Sequence, residues 1–392
     1  MMSFIELSIL PQQLVNGVLL GAIYALIALG YTMVYGVLRL INFAHGEVFM
    51  IGAYVALLVS WSLGFSPETL KDFSQQGTVI TLLVMLLVSM GACAILGILI
   101  EFLAYRPLRN HPRIASLTTA IGVSLLLQYG GVLFLPITPP PNIAEQVNPF
   151  NQTLHFYLKP PNSKLVKETE VAKQKYLISN QIFEKKLKYE TTKMGKTNEF
   201  DLTPEGRALR VQRQFDLQNY RQLKGKQDAS GYQVYLSISQ LIMLGVTLIL
   251  MVALHLLVMK TQIGRAMRAV SHHFDTASLM GINVNKVITF TFIIGSALAG
   301  AGAMMNATFL GTPLTTFYGA LPGLKAFIAA VLGGIGNIYG AVLGGLVMGI
   351  AEALTVWLGY SLYKDAVAFL LLIVILLWRP GGLLGSKLVE KV

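Results

Sequence analysis

The sequence predicts an all-α, polytopic integral membrane protein with about eight or nine transmembrane helices and one hydrophilic insert. Three observations carry that prediction. Of its 392 residues 54% are hydrophobic and only 12% are charged, about half the roughly 25% typical of a soluble domain. Apolar runs matching the roughly 20 residues that span a bilayer recur along the chain. The net charge of +11 is concentrated, since 16 of the 30 Lys and Arg and 10 of the 19 Asp and Glu fall between Glu145 and Asp228. A nucleic-acid footprint would need a basic face on a folded domain, so nucleic acid is not an expected partner.

The spans follow in order. The first covers residues 13–37 and carries Gly17, Gly21, Ala22, Ala25, Ala28 and Gly30, small residues that let helices approach closely in lipid. The next cover 43–63, 79–105 and 115–135, the last closed by the proline-rich stretch Pro136–Asn142, which removes donors and fixes the backbone. Two more cover 237–259 and 287–310. The apolar run from Pro322 to Tyr360 is too long for one span, and residues 333–345 contain six glycines, predicting two segments with a break near Asn337. The last span ends at Arg379-Pro380-Gly381-Gly382. The chain thus divides into an N-terminal transmembrane half (1–141), a basic insert (142–232) and a C-terminal transmembrane half (233–392).

Orientation follows from Lys and Arg in short loops, which favour the cytoplasmic side. With the N-terminus outside, eleven basic residues fall in inner segments, including Arg39, Arg106, Arg109, Arg265 and Arg268. Only Lys71, Lys325 and Lys364 fall in short outer loops. This expects nine spans with a cytoplasmic C-terminus, or about eight if the 325–360 region is a re-entrant piece plus one span. The insert then lies outside, which is allowed because long loops translocate largely regardless of charge. Within it 164–188 and 206–223 read as weakly amphipathic helices, the latter with Leu209, Phe215, Tyr220 and Leu223 as packing residues, although the Lys-rich composition is equally that of a disordered segment. The N-terminus lacks a basic region before its first span, so uncleaved insertion is expected. The lone Cys93 excludes a disulfide framework and a cysteine metal site.

The most polar stretch lying directly between two spans is residues 260–286. Helical spacing puts Ile263, Met267 and Val270 on one face and Arg265 and Arg268 on another. It reads either as a cytoplasmic surface helix that docks a partner or as an amphipathic loop resting in lipid head groups. Residues 41–47, Ile-Asn-Phe-Ala-His-Gly-Glu, place His45 and Glu47 at the start of the second span, where charge marks a pathway or a paired site. Glu47 also suits a first-turn carboxylate facing the helix dipole. Glu101 reads as a snorkelling interface charge, and Glu352 as a buried side chain with a structural hydrogen bond. The glycine-rich break around Gly333, Gly334 and Gly336 fits a broken helix whose free amides face an anion, or equally a helix-packing seam. No Walker loop, His-Glu-x-x-His, nucleophile elbow or Cys-x-x-Cys occurs, so no enzymatic activity is expected.

Residues 16–57, 263–300 and 323–354, with Tyr105–Arg109 and the closing Leu-Val-Glu-Lys-Val, resemble the permease subunits of high-affinity branched-chain amino-acid ABC importers. The likeness is colinear over about three quarters of the chain. It implies a permease of a bacterial inner membrane, importing Leu, Ile and Val by alternating access and holding no cofactor itself, since ATP is bound by partners. Those partners would be a second homologous permease, two cytosolic ABC ATPases and a periplasmic or extracellular substrate-binding protein. By the resemblance Gly264, Arg265, Ala269, Ala277, Gly281 and Ile282 belong to the ATPase-docking loop, which also holds Arg268 and Asp275. Asn42, His45, Gly46 and Glu47, and Gly333, Gly334, Gly336 and Gly340, match the other family motifs and are candidates for the translocation path. His272 and His273 replace a more acidic pair, and the long insert stands where the family has a short outer loop. Uptake of urea or short amides is the alternative within the family. A proton-coupled carrier using His45, Glu47 and Glu352 as a relay, or a channel or membrane scaffold, are alternatives outside it.

Overall fold

In a computed structural model of the protein, the described residues are 5–66, 77–109, 111–137, 140–143, 147–150, 152–194, 203–230 and 232–385. The chain divides into two compact units, one formed by 13–153 and 236–392 and the other by 1–12 and 154–235.

The larger unit is a helical bundle. Its elements are α1 (Ile5–Leu38, which begins in the smaller unit), α2 (His45–Ser62), α3 (Val79–Ile100, extended by a π-turn over Glu101–Tyr105) and α4 (Arg113–Phe134). After the smaller unit's α5 (Ser163–Met194) and α6 (Pro204–Ser230) come α7 (Ile238–Lys260), α8 (Gln262–His272) and α9 (Phe274–Leu279). The series closes with α10 (Val284–Phe309), α11 (Ala320–Gly333), α12 (Ile338–Trp357) and α13 (Lys364–Trp378). Among the described residues eight helices are long and apolar enough to cross a membrane, and α11 is a shorter apolar helix.

Local chemistry sets the helix starts. Thr78 with Thr81, and Ser237 with Gln240, form reciprocal capping boxes at α3 and α7, each satisfying two otherwise orphaned amides. Burial then ranks the helices. The apolar window of α1 is 89% buried, whereas those of α7 and α13 are 22% and 6% buried. α1 is therefore the core of the bundle, and the exposed apolar faces of α3, α7 and α13 suit a hydrocarbon environment.

Small residues bring the core helices together. A Cβ added to Gly21 would stand 2.8 Å from Leu346 Cα, and one added to Gly345 would stand 2.6 Å from Ala25 N, so α1 and α12 pack nearly backbone to backbone. On the other side Ser89 in α3 donates to a carbonyl of α2 (Gly52, 2.8 Å) or of α10 (Gly300, 3.0 Å). The predicted break between α11 and α12 is present: Gly334 (φ +106°) and Gly336 (φ +92°) turn the chain through conformations that side chains rarely adopt. Leu383 N and Leu384 N donate to Leu332 O and Gly333 O at 2.8 and 2.9 Å. This pins the end of α11 beside the segment that follows α13.

In the smaller unit α5 and α6 pack on each other, and a two-stranded sheet joins β1 (Thr153–Lys159) to β2 (Tyr232–Ser237). Phe183 is fully buried beneath the Arg213 guanidinium, 4.2 Å from the ring centroid, and Tyr176 stacks on Tyr220 at 6.4 Å. Both predicted insert helices form and are longer than expected. Of the packing residues expected in α6, Phe215 is instead 65% exposed, and the ring at the core comes from α5.

Candidate functional site

The start of α2 lies well inside the bundle. His45 rests against Gly30 of α1, where an added Cβ would stand 2.4 Å from His45 Nε2. Gly30 precedes the end of α1 by eight residues, about 12 Å of helix. The connecting segment therefore folds back into the core before α2 begins. Asn42 organises it: its Oδ1 accepts from Ala44 N and from Tyr105 OH, both at 3.1 Å. The His45 ring meets the Tyr31 ring edge-on at 4.6 Å. Asn42, His45 and Glu47 are all buried.

Glu47, in the first turn of α2, points to a cavity of about 280 Å³ bounded by α1, α2, α4 and α11. Its Oε1 accepts from Ser124 Oγ at 3.3 Å, while Oε2 is buried without a hydrogen-bond partner. Ser124 and Gln128 give the cavity further polar groups, and Phe43, Leu125, Leu324 and Phe327 give it apolar walls. The first turn of α11 borders the same space. No side chain caps that helix, and its Gly319 and Gly323 press on Gly46, where added Cβ atoms would stand 1.8 Å from Gly46 O and 2.6 Å from Gly46 Cα. The first turns of α2 and α11 thus border one cavity, which opens to the surface beside Ile121, Leu125 and Leu324.

The glycine break lies elsewhere. Gly333, Gly334 and Gly336 do not line this cavity. At the start of α12 the Asn337 side chain accepts from Tyr339 N and Gly340 N at 3.0 and 3.3 Å. A Cβ added to Gly333 would stand 1.8 Å from Gly340 O, and one on Gly344 would stand 1.9 Å from Ala329 O. These glycines serve the contact between α11 and α12.

Two charged clusters were underread. Lys325, expected in an outer loop, is instead a buried residue of α11. Its Nζ lies 2.8 Å from Glu352 Oε1 and 2.6 Å from Asp365 Oδ1. Tyr24 donates to Glu352 Oε2 at 3.1 Å, so the cluster joins α1, α11, α12 and α13. Glu101, expected to snorkel, is fully buried and holds two arginines: Arg106 at 2.7 Å and Arg109 at 3.1 Å. Thr289 donates to the same carboxylate at 3.0 Å, and Arg109 also reaches Asn285. Burial lowers the Arg109 pKa, and the Glu101 charge opposes that shift.

The polar stretch after α7 forms two surface helices. Thr261 caps α8 through Gly264 N at 3.1 Å, and Gly264 is required by contact, since an added Cβ would stand 2.1 Å from Val258 O. Arg268 donates to that same carbonyl. Met267 and Val270 are buried as predicted, but Ile263 is 42% exposed, because Gly264 takes the inward position beside it. Gly281 (φ +82°) ends α9, and Ile282 N donates to Ala277 O at 3.1 Å, a helix stop of the Schellman type. Arg265, Asp275, His272 and His273 are exposed, Ala269 is half-buried and Ala277 buried. Leu279 and Met280 are 88% and 79% exposed beside them.

The structure therefore brings Asn42, His45, Gly46 and Glu47 together and sets Gly333, Gly334 and Gly336 apart from them. Sequence reasoning missed Ser124, Gln128, Tyr24 and the pairing of Lys325. Ser124 and Gln128 stand four residues apart in α4, a spacing that puts both on one face. Among the described residues no group of three or more His, Cys, Asp or Glu could hold a metal ion.

A multi-span apolar bundle with buried charged groups and a cavity between its helices is an architecture suited to a membrane transport protein. The family model described as branched-chain amino acid transport system / permease component matches residues 13–157 and 201–376. The chain is 35% identical over 381 residues to the high-affinity branched-chain amino acid transport system permease protein BraD of Pseudomonas aeruginosa, covering 97% of each chain. It is 34% identical over 384 residues to the corresponding permease LivH of Escherichia coli K12, again covering 97% of each. No solved structure matches. The protein belongs to the branched-chain amino acid transport system permease family and is a multi-pass membrane protein.

Proposed function

We propose that this chain is the transmembrane permease subunit of an ATP-driven importer for leucine, isoleucine and valine. The names of its relatives, both branched-chain amino acid permeases, support the substrate class. The single structural observation that carries the reading is the cavity at Glu47, where the buried start of α2 meets the first turn of α11. Helices interrupted at depth supply polar groups to a path without exposing backbone to lipid. Its mixture of aromatic and aliphatic walls with a few polar groups suits an aliphatic solute better than urea.

In this reading the chain works with a second permease, two cytosolic ATPase subunits and a substrate-binding protein, and is not itself an enzyme or a holder of cofactor. With α11 counted as a ninth, shorter crossing, the N-terminus lies outside and the C-terminus in the cytoplasm, which puts α8 and α9 on the ATPase side. The exposed Leu279 and Met280 beside Arg265 and Asp275 support docking there. ATPase closure pushes this pair of helices, and the bundle rocks between outward and inward access.

Uptake of radiolabelled leucine at low external concentration tests this, comparing wild-type cells with a strain lacking only this gene. Uptake should be lost and then restored by the cloned gene. Unchanged uptake, with redundant systems absent, overturns the substrate class. Uptake abolished by a protonophore while cellular ATP is maintained overturns the ATP-driven mechanism.

A further inference from the structure

We propose that Glu47 is the subsite for the substrate's ammonium group, and that the apolar wall opposite takes its aliphatic side chain. The inference rests on the transport reading above and adds a ligand contact to it. Glu47 is 4% exposed, and one of its oxygens has no hydrogen-bond partner although it is buried. Buried carboxylate oxygens in native proteins are nearly always satisfied, and charge at membrane depth marks a paired or functional group. A carboxylate serving only the α2 dipole has no need of an open cavity in front of it.

The cavity fits one kind of occupant. At about 280 Å³ it falls just below the roughly 300–1,000 Å³ of ordinary small-molecule sites, so the solute is small. Ser124 and Gln128 are uncharged, and Glu47 is the one charged group in the lining. The wall formed by Phe43, Leu125, Leu324 and Phe327 rejects a polar group. A short branched alkyl chain ending in an ammonium group meets both requirements: the ammonium donates to the Glu47 carboxylate, which lines the cavity, as a charge-assisted bond, and the alkyl group covers the apolar side. Tyr31 and Phe327, with ring centroids 5.9 Å apart, close the α1 side of the space.

The test uses the purified complex of this permease with its partner subunits in nanodiscs, without binding protein. Ligand stabilisation is read as a saturable rise in Tm. The probes are leucine, isopentylamine (the amine without the carboxylate) and 4-methylpentanoate (the carboxylate without the amine). Leucine and isopentylamine should stabilise the wild type and 4-methylpentanoate should not. E47Q should raise the apparent Kd for isopentylamine about 10- to 100-fold, and E47D should keep most of the binding. L125W, which adds bulk to the cavity wall, should weaken isopentylamine binding and tests the cavity if E47Q fails to assemble. Unchanged isopentylamine binding in E47Q or L125W, equal binding of 4-methylpentanoate, or no amine binding by the wild type overturns the proposal. If leucine neither binds nor is taken up, yet isopentylamine binds in a Glu47-dependent way, the branched-chain reading fails and the ammonium subsite stands.

Discussion

Lys325 in α11 and Glu352 in α12 form an ion pair of 2.8 Å, with side chains 9% and 3% exposed. The pair is embedded among groups that complete it: Asp365 on the ammonium and Tyr24 on the carboxylate. Removing one partner of a buried pair leaves the other charge uncompensated, a loss of about 3–5 kcal/mol. Lys325→Met should therefore lower the Tm of the purified complex sharply. Lys325→Met combined with Glu352→Gln should recover much of the loss, and a double variant no better than the single would show that the pair is not the cause.

Glu101 makes a parallel case near the end of α3. Its two arginines and Thr289 all converge on one carboxylate, joining the π-turn to α10. Glu101→Gln leaves Arg106 and Arg109 facing each other without a counter-charge and should destabilise by about 3 kcal/mol. Arg106→Met alone should cost less, because Arg109 still neutralises the carboxylate. Thermal unfolding of the two variants side by side checks the order.

His45 fits only because residue 30 has no side chain. Gly30→Ala places a methyl group against the imidazole, and overpacking of this kind costs about 1–3 kcal/mol. His45→Ala removes that contact and leaves only Gly295 O, 2.8 Å from the added Cβ, so the Gly30→Ala/His45→Ala pair should be more stable than the sum of the single changes predicts. Additivity in a double-mutant cycle would contradict the contact.

These contacts show what was legible in the sequence. Helix positions were readable because apolar length and proline or glycine stops are local properties, as at Pro136 and Asn337. The inward face of α8 was readable at Met267 and Val270 from helical periodicity. Ile263 was misread because its neighbour Gly264, with no side chain to register as apolar, takes the inward position against Val258 O. One at a time, Glu101 looks like an interface charge, Lys325 like a loop charge and Glu352 like a buried side chain whose partner the sequence does not name. Only tertiary packing brings Lys325 and Glu352, or Glu101 and Arg109, within hydrogen-bonding distance. The same holds for the cavity: Glu47 was visible in the motif, whereas Ser124 and the first turn of α11 reach it from distant segments.

The proposed docking of ATPase through α8 and α9 gives a prediction that separates packing from charge. Gly264→Ala adds no charge, yet its Cβ would stand 2.1 Å from Val258 O, so α8 must shift away from α7. Copurification of the ATPase subunits should fall about tenfold or more, on the order of the 1–3 kcal/mol of overpacking, while the permease still inserts. Arg265→Ala, an exposed position, should weaken copurification less. Normal ATPase recovery with Gly264→Ala would remove α8 from the coupling route.

The most direct test of the central claim is accumulation of leucine by proteoliposomes containing the complete transporter, with binding protein outside and ATP supplied on the ATPase side. Uptake should be concentrative, require hydrolysable ATP, stop with a non-hydrolysable analogue and be unaffected by collapsing the proton gradient. Uptake without ATP, driven by an imposed proton gradient, would contradict that claim.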